Sequence, residues 1–337
     1  MRAFNKIIFA TAIAIIPCMA NALEYNIGNT ELKLTGFGTF GIIEPDMESV
    51  LSIGDWRLKG QATYSDTFGI VYALDKSALD KGNWSREAFV FLQSRDIGRI
   101  EIGYTDSIAR KLGLGLPDVG GLRINERPLY NEKIIPDGPI IADTSLTSGR
   151  NEPLRINVAS ASNDGIQYGM SISGLSNEYD FAGDIGIKFR QSSGKLKTAY
   201  SVGASFINRP NDFDVEVYTP GVTADWRAQI VAGLNLQYNS WILGVTARAI
   251  YDENPIGEIS DGIVTGIGAS YDLLKYSISL TYMLSDTGIW HSDAKDFIDH
   301  TVVASFRYKY SENVDGWIST GLTSKTTFVS AGLRLVF

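Results

Sequence analysis

The chain of 337 residues holds one cysteine, two histidines and ten prolines, and each shortage excludes a class of protein. Cys18 lies in an N-terminal apolar segment, so the chain from residue 23 onward has no thiol and no disulfide framework. With only His291 and His300 available, and Ser292-Asp293 merely contiguous with the first, no spaced nucleophilic or water-activating constellation can be assembled. An enzymatic role is not expected. Basic residues are also scarce, 30 against 38 acidic, which gives an isoelectric point near 4.9 and argues against nucleic acid or any partner held by neutralised phosphates. Beyond the first two dozen residues no apolar run approaches the roughly 20 residues of a spanning helix.

What the chain does have begins with an exported N-terminus. Met1 to Lys6 form a basic start, Ile7 to Ile16 an apolar core, and Ala20-Asn21-Ala22 a small-residue cleavage site, the layout of a secretory signal peptide over 1–22. Pro17 before Cys18 does not suit lipid attachment. The expected product, 23–337, is one domain with 28 basic and 38 acidic residues, a net charge of -10.

Along it the hydrophobic period is two. Ile278-Ser279-Leu280-Thr281-Tyr282 alternates without a break, as do Ile185 to Arg190, Trp226 to Ile230, Ala304 to Tyr310 and Val329 to Phe337. No helical stripe competes with this pattern. Sixteen strands are expected, near 30–43, 49–64, 68–79, 84–95, 98–107, 153–162, 165–175, 179–191, 195–208, 222–239, 240–251, 261–273, 275–286, 297–311, 315–323 and 327–337. Connections after even-numbered segments are short, as at Ser65-Asp66-Thr67 and Asn239-Ser240. Those after most odd-numbered ones are longer, and the one after the fifth runs to about 45 residues. Short turns on one side and long loops on the other define an antiparallel transmembrane β-barrel of an outer membrane, its apolar face toward lipid and its polar face toward a wet lumen. A soluble sandwich would show the same alternation. Aromatic pairs beside the short turns, Tyr238 and Trp241, Tyr271 and Tyr276, Tyr310 and Trp317, favour the barrel, because interfacial girdles sit there.

Several segments resemble the general porins of Gram-negative bacteria, the trimeric diffusion channels of the outer membrane. Leu34-Thr35-Gly36 is similar to the family's Leu-Tyr-Gly opening and Arg57-Leu58-Lys59-Gly60 to its Gly-Phe-Lys-Gly strand. Arg86-Glu87-Ala88-Phe89-Val90-Phe91-Leu92, then Gly98 to Gly103, is similar to its Arg-x-Ala-Phe-Val-Gly-Leu and Gly-x-x-x-x-Gly strands. Arg150 to Arg155 resembles the segment that re-enters the wall after the constriction loop. Together these cover about a third of the chain in order.

The resemblance implies a loop, about 108–150, folded into the barrel, with carboxylates facing wall bases so that a transverse field orients solutes. Loop candidates are Asp118, Glu126 and Asp137; wall candidates are Arg86, Lys59, Arg57, Asp55 and Arg99. Asp118 reads equally as a turn-former beside Gly120 and Gly121. Asp55 and Tyr104 stand where many members carry arginine, which shifts the lumen negative and implies a weak cation preference. Terminal Phe337 matches the family's assembly signal, and the resemblance as a whole implies contact with the barrel-assembly machinery, with outer-membrane lipid and lipopolysaccharide, and with two further copies in a homotrimer. No cofactor is expected; loop-bound Ca²⁺ at Asp252-Glu253 or Asp293 and Asp296 is open. A general diffusion channel is the leading reading. A substrate-selective channel would need a lumen ladder of aromatics or lysines, and a non-channel adhesin or antigen would need bulky inward residues. The inward register instead offers Gly, Ser, Thr, Gln and charges, and most aromatics fall on the lipid-facing register.

Overall fold

The computed structural model describes residues 23–45, 51–77, 85–120, 154–174, 181–208, 226–253, 259–287, 298–324 and 326–337. The sequence alternation becomes strands throughout. In chain order these are β1 (Leu23–Ile27), β2 (Thr30–Pro45), β3 (Leu51–Tyr64), β4 (Phe68–Ser77), β5 (Ser85–Ser94) and β6 (Gly98–Tyr104), followed by a five-residue helix, α1 (Ile108–Leu112). Then come β7 (Leu154–Ser160), β8 (Ile166–Ser173), β9 (Phe181–Ser193), β10 (Leu196–Asn208), β11 (Trp226–Tyr238) and β12 (Trp241–Glu253). The last five are β13 (Ile259–Leu273), β14 (Tyr276–Thr287), β15 (Ile298–Lys309), β16 (Val314–Thr323) and β17 (Thr327–Val336).

Every sequential pair from β2 to β17 is antiparallel, and β17 pairs back onto β2, closing a cylinder of sixteen strands. These are the sixteen expected. β1 was not among them: it folds back through Gly28-Asn29 onto β2, along the stretch of that edge which β17 leaves free. Following the pairing register once around the wall returns to β2 displaced by 20 residues. With about 3.3 Å per residue and about 4.8 Å between strands, that shear tilts the strands by about 40° and gives a backbone diameter of about 32 Å. Wall side chains cannot fill so wide an interior.

The two faces are inverted relative to a water-soluble protein. On β14 the outward Ile278, Leu280 and Tyr282 are exposed while the inward Ser277, Ser279 and Thr281 are buried. No described helix is long and apolar enough to cross a membrane; the strands cross it instead, and lipid covers the exposed apolar rows. Outward rings gather at the short-turn end: Trp241 and Tyr271 lie 4.6 Å apart, Tyr276 and Tyr308 5.1 Å, Tyr308 and Tyr310 4.8 Å. At the other end Phe206 stacks on Trp226 at 6.1 Å. On β11 the thirteen residues from Trp226 to Tyr238 span about 40 Å along the strand, or about 30 Å across a membrane at the tilt above, which matches two interfacial girdles.

The short connections hold two to five residues. Two-residue hairpins of this hand need positive φ, and among the described residues the non-glycine positions that adopt it, Ser65, Asp66, Asp164, Asn239 and Leu274, all sit in the short connections. Leu274 is the misfit, a fully exposed leucine at φ 39°. Leu274→Asn should therefore raise barrel stability by about 1 kcal/mol, read as a higher urea midpoint in detergent; an unchanged or lower midpoint would contradict the strain.

The inward register is less polar than the sequence suggested. Val71, Phe89 and Phe91 form an inward apolar cluster, and Ile43, Trp317 and Phe328 also point into the barrel. The three largest of these rings lie flat because a neighbouring strand offers glycine. A Cβ at Gly69 would meet Phe91 at 2.3 Å, one at Gly321 would meet Phe328 at 2.1 Å, and one at Gly332 would meet Trp317 at 2.8 Å. Rings laid on glycine line the wall without obstructing the lumen.

Candidate functional site

One charged part of the inner wall is built by β3, β5 and β6 beside the segment after β6; further round the wall Arg155, Lys188, Arg227 and Arg248 are buried on β7, β9, β11 and β12. Lys59, Ala73 and Glu87 lie in one row across β3, β4 and β5. Because β4 contributes only the methyl group of Ala73 there, the Arg57 guanidinium reaches across it and pairs with Glu87. A longer side chain at 73 would stand between them. On β6, Arg99 Nε is 2.9 Å from Glu101 Oε1, and the guanidinium lies 3.8 Å from the Phe91 ring centroid, a stacking that orders a long side chain against an apolar floor.

The segment after β6 turns inward at Thr105. Ser107 N-caps α1, its hydroxyl accepting from the Arg110 N–H at 3.2 Å. Ile108, Ala109 and Leu112 are buried against the wall, while Lys111 returns to the β6 strand, pairing with Glu101 and donating to Thr105 Oγ1 at 2.7 Å. Asn157 on β7 completes the knot, donating to Glu101 Oε2 at 2.8 Å and to the Asp106 carbonyl at 2.9 Å. Glu101 thus gathers three partners from three elements, the Arg99 charge and two donors, Lys111 and Asn157. Arg110 Nε lies 3.8 Å from Asp106, and Arg155 on β7 lies 3.8 Å from Asp184 on β9.

Among the described residues the wall carries charges of both signs. Wall carboxylates Glu87, Glu101 and Asp184 pair with Arg57, Arg99 and Arg155, and the described part of the loop brings one cation, Lys111, to Glu101. Asp118 does not face the wall bases: its Oδ1 accepts from Ser279 Oγ at 2.9 Å and from the Gly120 N–H at 3.1 Å. That is the turn-forming role, extended by a bond to β14. Of the other expected site residues, Arg57, Lys59 and Arg99 belong to the inner rows described. Asp55 pairs in register with Thr39 and Ser77. Position 86 falls in the row of Leu58 and Leu74, the outer row, so the inner position of β5 at that height is Glu87. Glu126 and Asp137 lie outside the described residues. Sequence reading passed over Glu87, Glu101 and Asn157; alternation from Phe89 and Gly103 would have put both glutamates inward.

At the opposite rim Glu253 accepts from Trp226 Nε1, Asp252 pairs in register with Arg227 and Ser260, and Asp293 and Asp296 lie outside the described residues. Among the described residues no group of three or more His, Cys, Asp or Glu side chains could hold a metal ion.

Phe337 closes the seam. Its N–H donates to the Gly36 carbonyl at 2.9 Å and its carbonyl accepts from the Gly36 N–H at 2.7 Å, with the ring lying over the glycine.

A closed sixteen-stranded barrel, apolar outside, charged within and entered by one inward segment, is a channel of an outer membrane. The chain belongs to the Gram-negative porin family, whose family model matches residues 10–321. No curated protein matches it. Solved structures share the fold at low identity. OmpT, an outer membrane protein of Vibrio cholerae in trimer form, aligns at a TM-score of 0.64 and 10% identity over 91% of this chain and 99% of its own. The anion-selective porin from Comamonas acidovorans gives 0.63 and 14% over 91% and 100%, and Salmonella typhi OmpF in complex with daunomycin 0.64 and 12% over 94% and 100%.

Proposed function

We propose that this porin is a general diffusion channel for small hydrophilic solutes and ions, assembled as a homotrimer and weakly selective for cations. The observation that carries the selectivity is where the charge lies. Of the 28 basic and 38 acidic residues from 23 onward, the strands hold 15 of each and the short turns 3 and 4; the eight connections at the opposite end hold 10 and 19. The strands are neutral in total, and nearly the whole excess, -9, belongs to the connections on one side of the barrel, the inward segment after β6 included. An acidic excess on one side enriches cations before they reach a balanced wall. Inside, the pairing of Arg57 with Glu87 and of Arg99 and Lys111 with Glu101 keeps the described wall hydrated and fixed, and the inward rings lie flat rather than projecting as a sugar ladder. Residues 1–22 act as a cleaved export signal in this reading, leaving β1 intact from Leu23. Phe337 serves recognition by the assembly machinery, and lipopolysaccharide lies against the exposed rows.

Planar-bilayer recording tests it. Conductance steps in multiples of three and a reversal potential on the cation side of a KCl gradient are expected; a clear anion preference would overturn the selectivity, and silence the channel itself.

A further inference from the structure

The strand charges sum to zero only because two unlike halves cancel. In β1 and in the seven residues of each other strand that lie nearest the short-turn end there are 10 basic and 5 acidic residues, while the rest of the strands carry 5 and 10. Taking six residues per strand gives the same numbers. All the charges of the short-turn half point into the barrel, because each shares its parity with an inward neighbour such as Thr39, Ser201, Ser270, Val303 or Ser330.

Four of the five acids in that half are held by bases: Glu24 by Lys33, Glu101 by Arg99 and Lys111, Asp272 by Arg307 at 3.4 Å, and Asp315 by Arg334 at 3.1 Å from its Nε. The excess stands further round the wall, on residues that include Arg190 on β9 and Lys197 on β10, both exposed, and Lys309 on β15, half-buried. Beyond the other end of the strands the acidic sign continues. With the inward segment after β6 left out, the connections there hold 4 basic and 12 acidic residues, while the short turns add 3 and 4 at their own end. A path along the axis therefore crosses an acidic half and then a basic one.

We infer that this pore is an ionic rectifier, its acidic and basic halves meeting as a junction across the barrel so that current passes more readily when the long-connection side is positive. Fixed charge raises the local concentration of counter-ions, so cations dominate the acidic half and anions the basic half. With the long-connection side positive, both are driven toward the junction and carriers accumulate there; with the opposite polarity both are drawn away and it is depleted. At 0.1 M salt the Debye length of about 10 Å approaches the barrel radius of about 16 Å, whereas at 1 M it is about 3 Å and the wall charge no longer reaches the axis. Since short turns are periplasmic in outer-membrane barrels, the favoured direction carries cations inward and anions outward.

The inference rests on the channel reading. Single channels in a planar bilayer with 0.1 M KCl on both sides should pass at least about 1.5-fold more current at the favoured polarity, and nearly equal currents at 1 M. Leu274→Cys, on a short turn and then the only thiol from residue 23 onward, assigns the sides: labelled with biotin maleimide, it lets streptavidin perturb the current from the short-turn compartment alone. The triple variant Arg190→Glu/Lys197→Glu/Lys309→Glu takes the strand charge of the short-turn half from +5 to -1 and should bring the current ratio close to one. Arg190→Lys/Lys197→Arg/Lys309→Arg should keep the wild-type ratio, and the heat-modifiable band on semi-native gels reports folded barrel for each. Symmetric currents in a conducting wild type at 0.1 M, rectification of the opposite polarity, or undiminished rectification in the folded glutamate variant would overturn the junction and leave the channel reading standing. Silence of the folded wild type would overturn both.

Discussion

Gly36→Val is expected to reduce the yield of folded barrel by about tenfold, with Phe337→Ala less severe. A Cβ at 36 would lie 2.5 Å from the Arg57 carbonyl oxygen and 2.5 Å from Cζ of Phe337. The ring can swing away, but the carbonyl belongs to β3, so a branched side chain must move the strand and lose the ring together. Overpacking of that kind costs about 1–3 kcal/mol, and the lost ring contact adds a comparable amount. Gly36 also exchanges both backbone hydrogen bonds with Phe337 at the one seam that closes the sheet, so an unclosed cylinder exposes two edges to lipid. Phe337→Ala keeps those backbone bonds and removes only the ring. The heat-modifiable band on semi-native gels reports folded barrel; equal amounts for Gly36→Val and wild type would show that the ring and glycine are not the seam's lock.

The strands were legible because a barrel wall meets lipid on one side and water on the other, so period two is enforced on every strand rather than on a favoured few. Turn positions were legible for a related reason: each short connection must reverse the chain within five residues, and turn-formers such as Asn239-Ser240 and Gly194 mark most of them, Leu274-Lys275 being the exception. β1 escaped because five residues, Leu23 to Ile27, alternate too briefly to stand out beside the apolar stretch before them. α1 escaped because one capped turn carries no stripe.

The site was less legible, since its bonds depend on register between strands far apart in sequence. Arg57 and Glu87 are 30 residues apart and meet only because Ala73 is small. The resemblance drew attention to Arg86, yet Arg86 and Phe89 differ in parity, and it is Phe89 that lies inward. Asp118 carried both readings from the start, and Ser279, 161 residues away, decides between them.

Glu101→Gln tests the charged wall most directly, with an expected shift of the cation-to-anion permeability ratio of about threefold toward anions. The carboxylate lies against the Arg99 guanidinium on one oxygen and accepts from Lys111 and Asn157 on the other. A glutamine can turn its carbonyl to one side only, so its NH₂ must confront a donor on the other, and two cations lose their counter-charge. Removing one partner of a buried pair costs about 3–5 kcal/mol; Arg99 and Lys111 are about 30% exposed, so solvent reduces this to about 2 kcal/mol. The barrel should still fold, with a lower urea midpoint. Electrostatically the change adds one positive charge beside the solute path, worth about 0.7 kcal/mol to a univalent ion at about 6 Å in water and less through a Debye length of about 10 Å at 0.1 M salt. The two ions of KCl feel it with opposite sign, which yields the threefold shift. Reversal potentials of the variant and wild type in the same gradient measure it, and repeating them at 1 M salt should shrink the difference; an unchanged potential at low salt would place Glu101 away from the path of the ions.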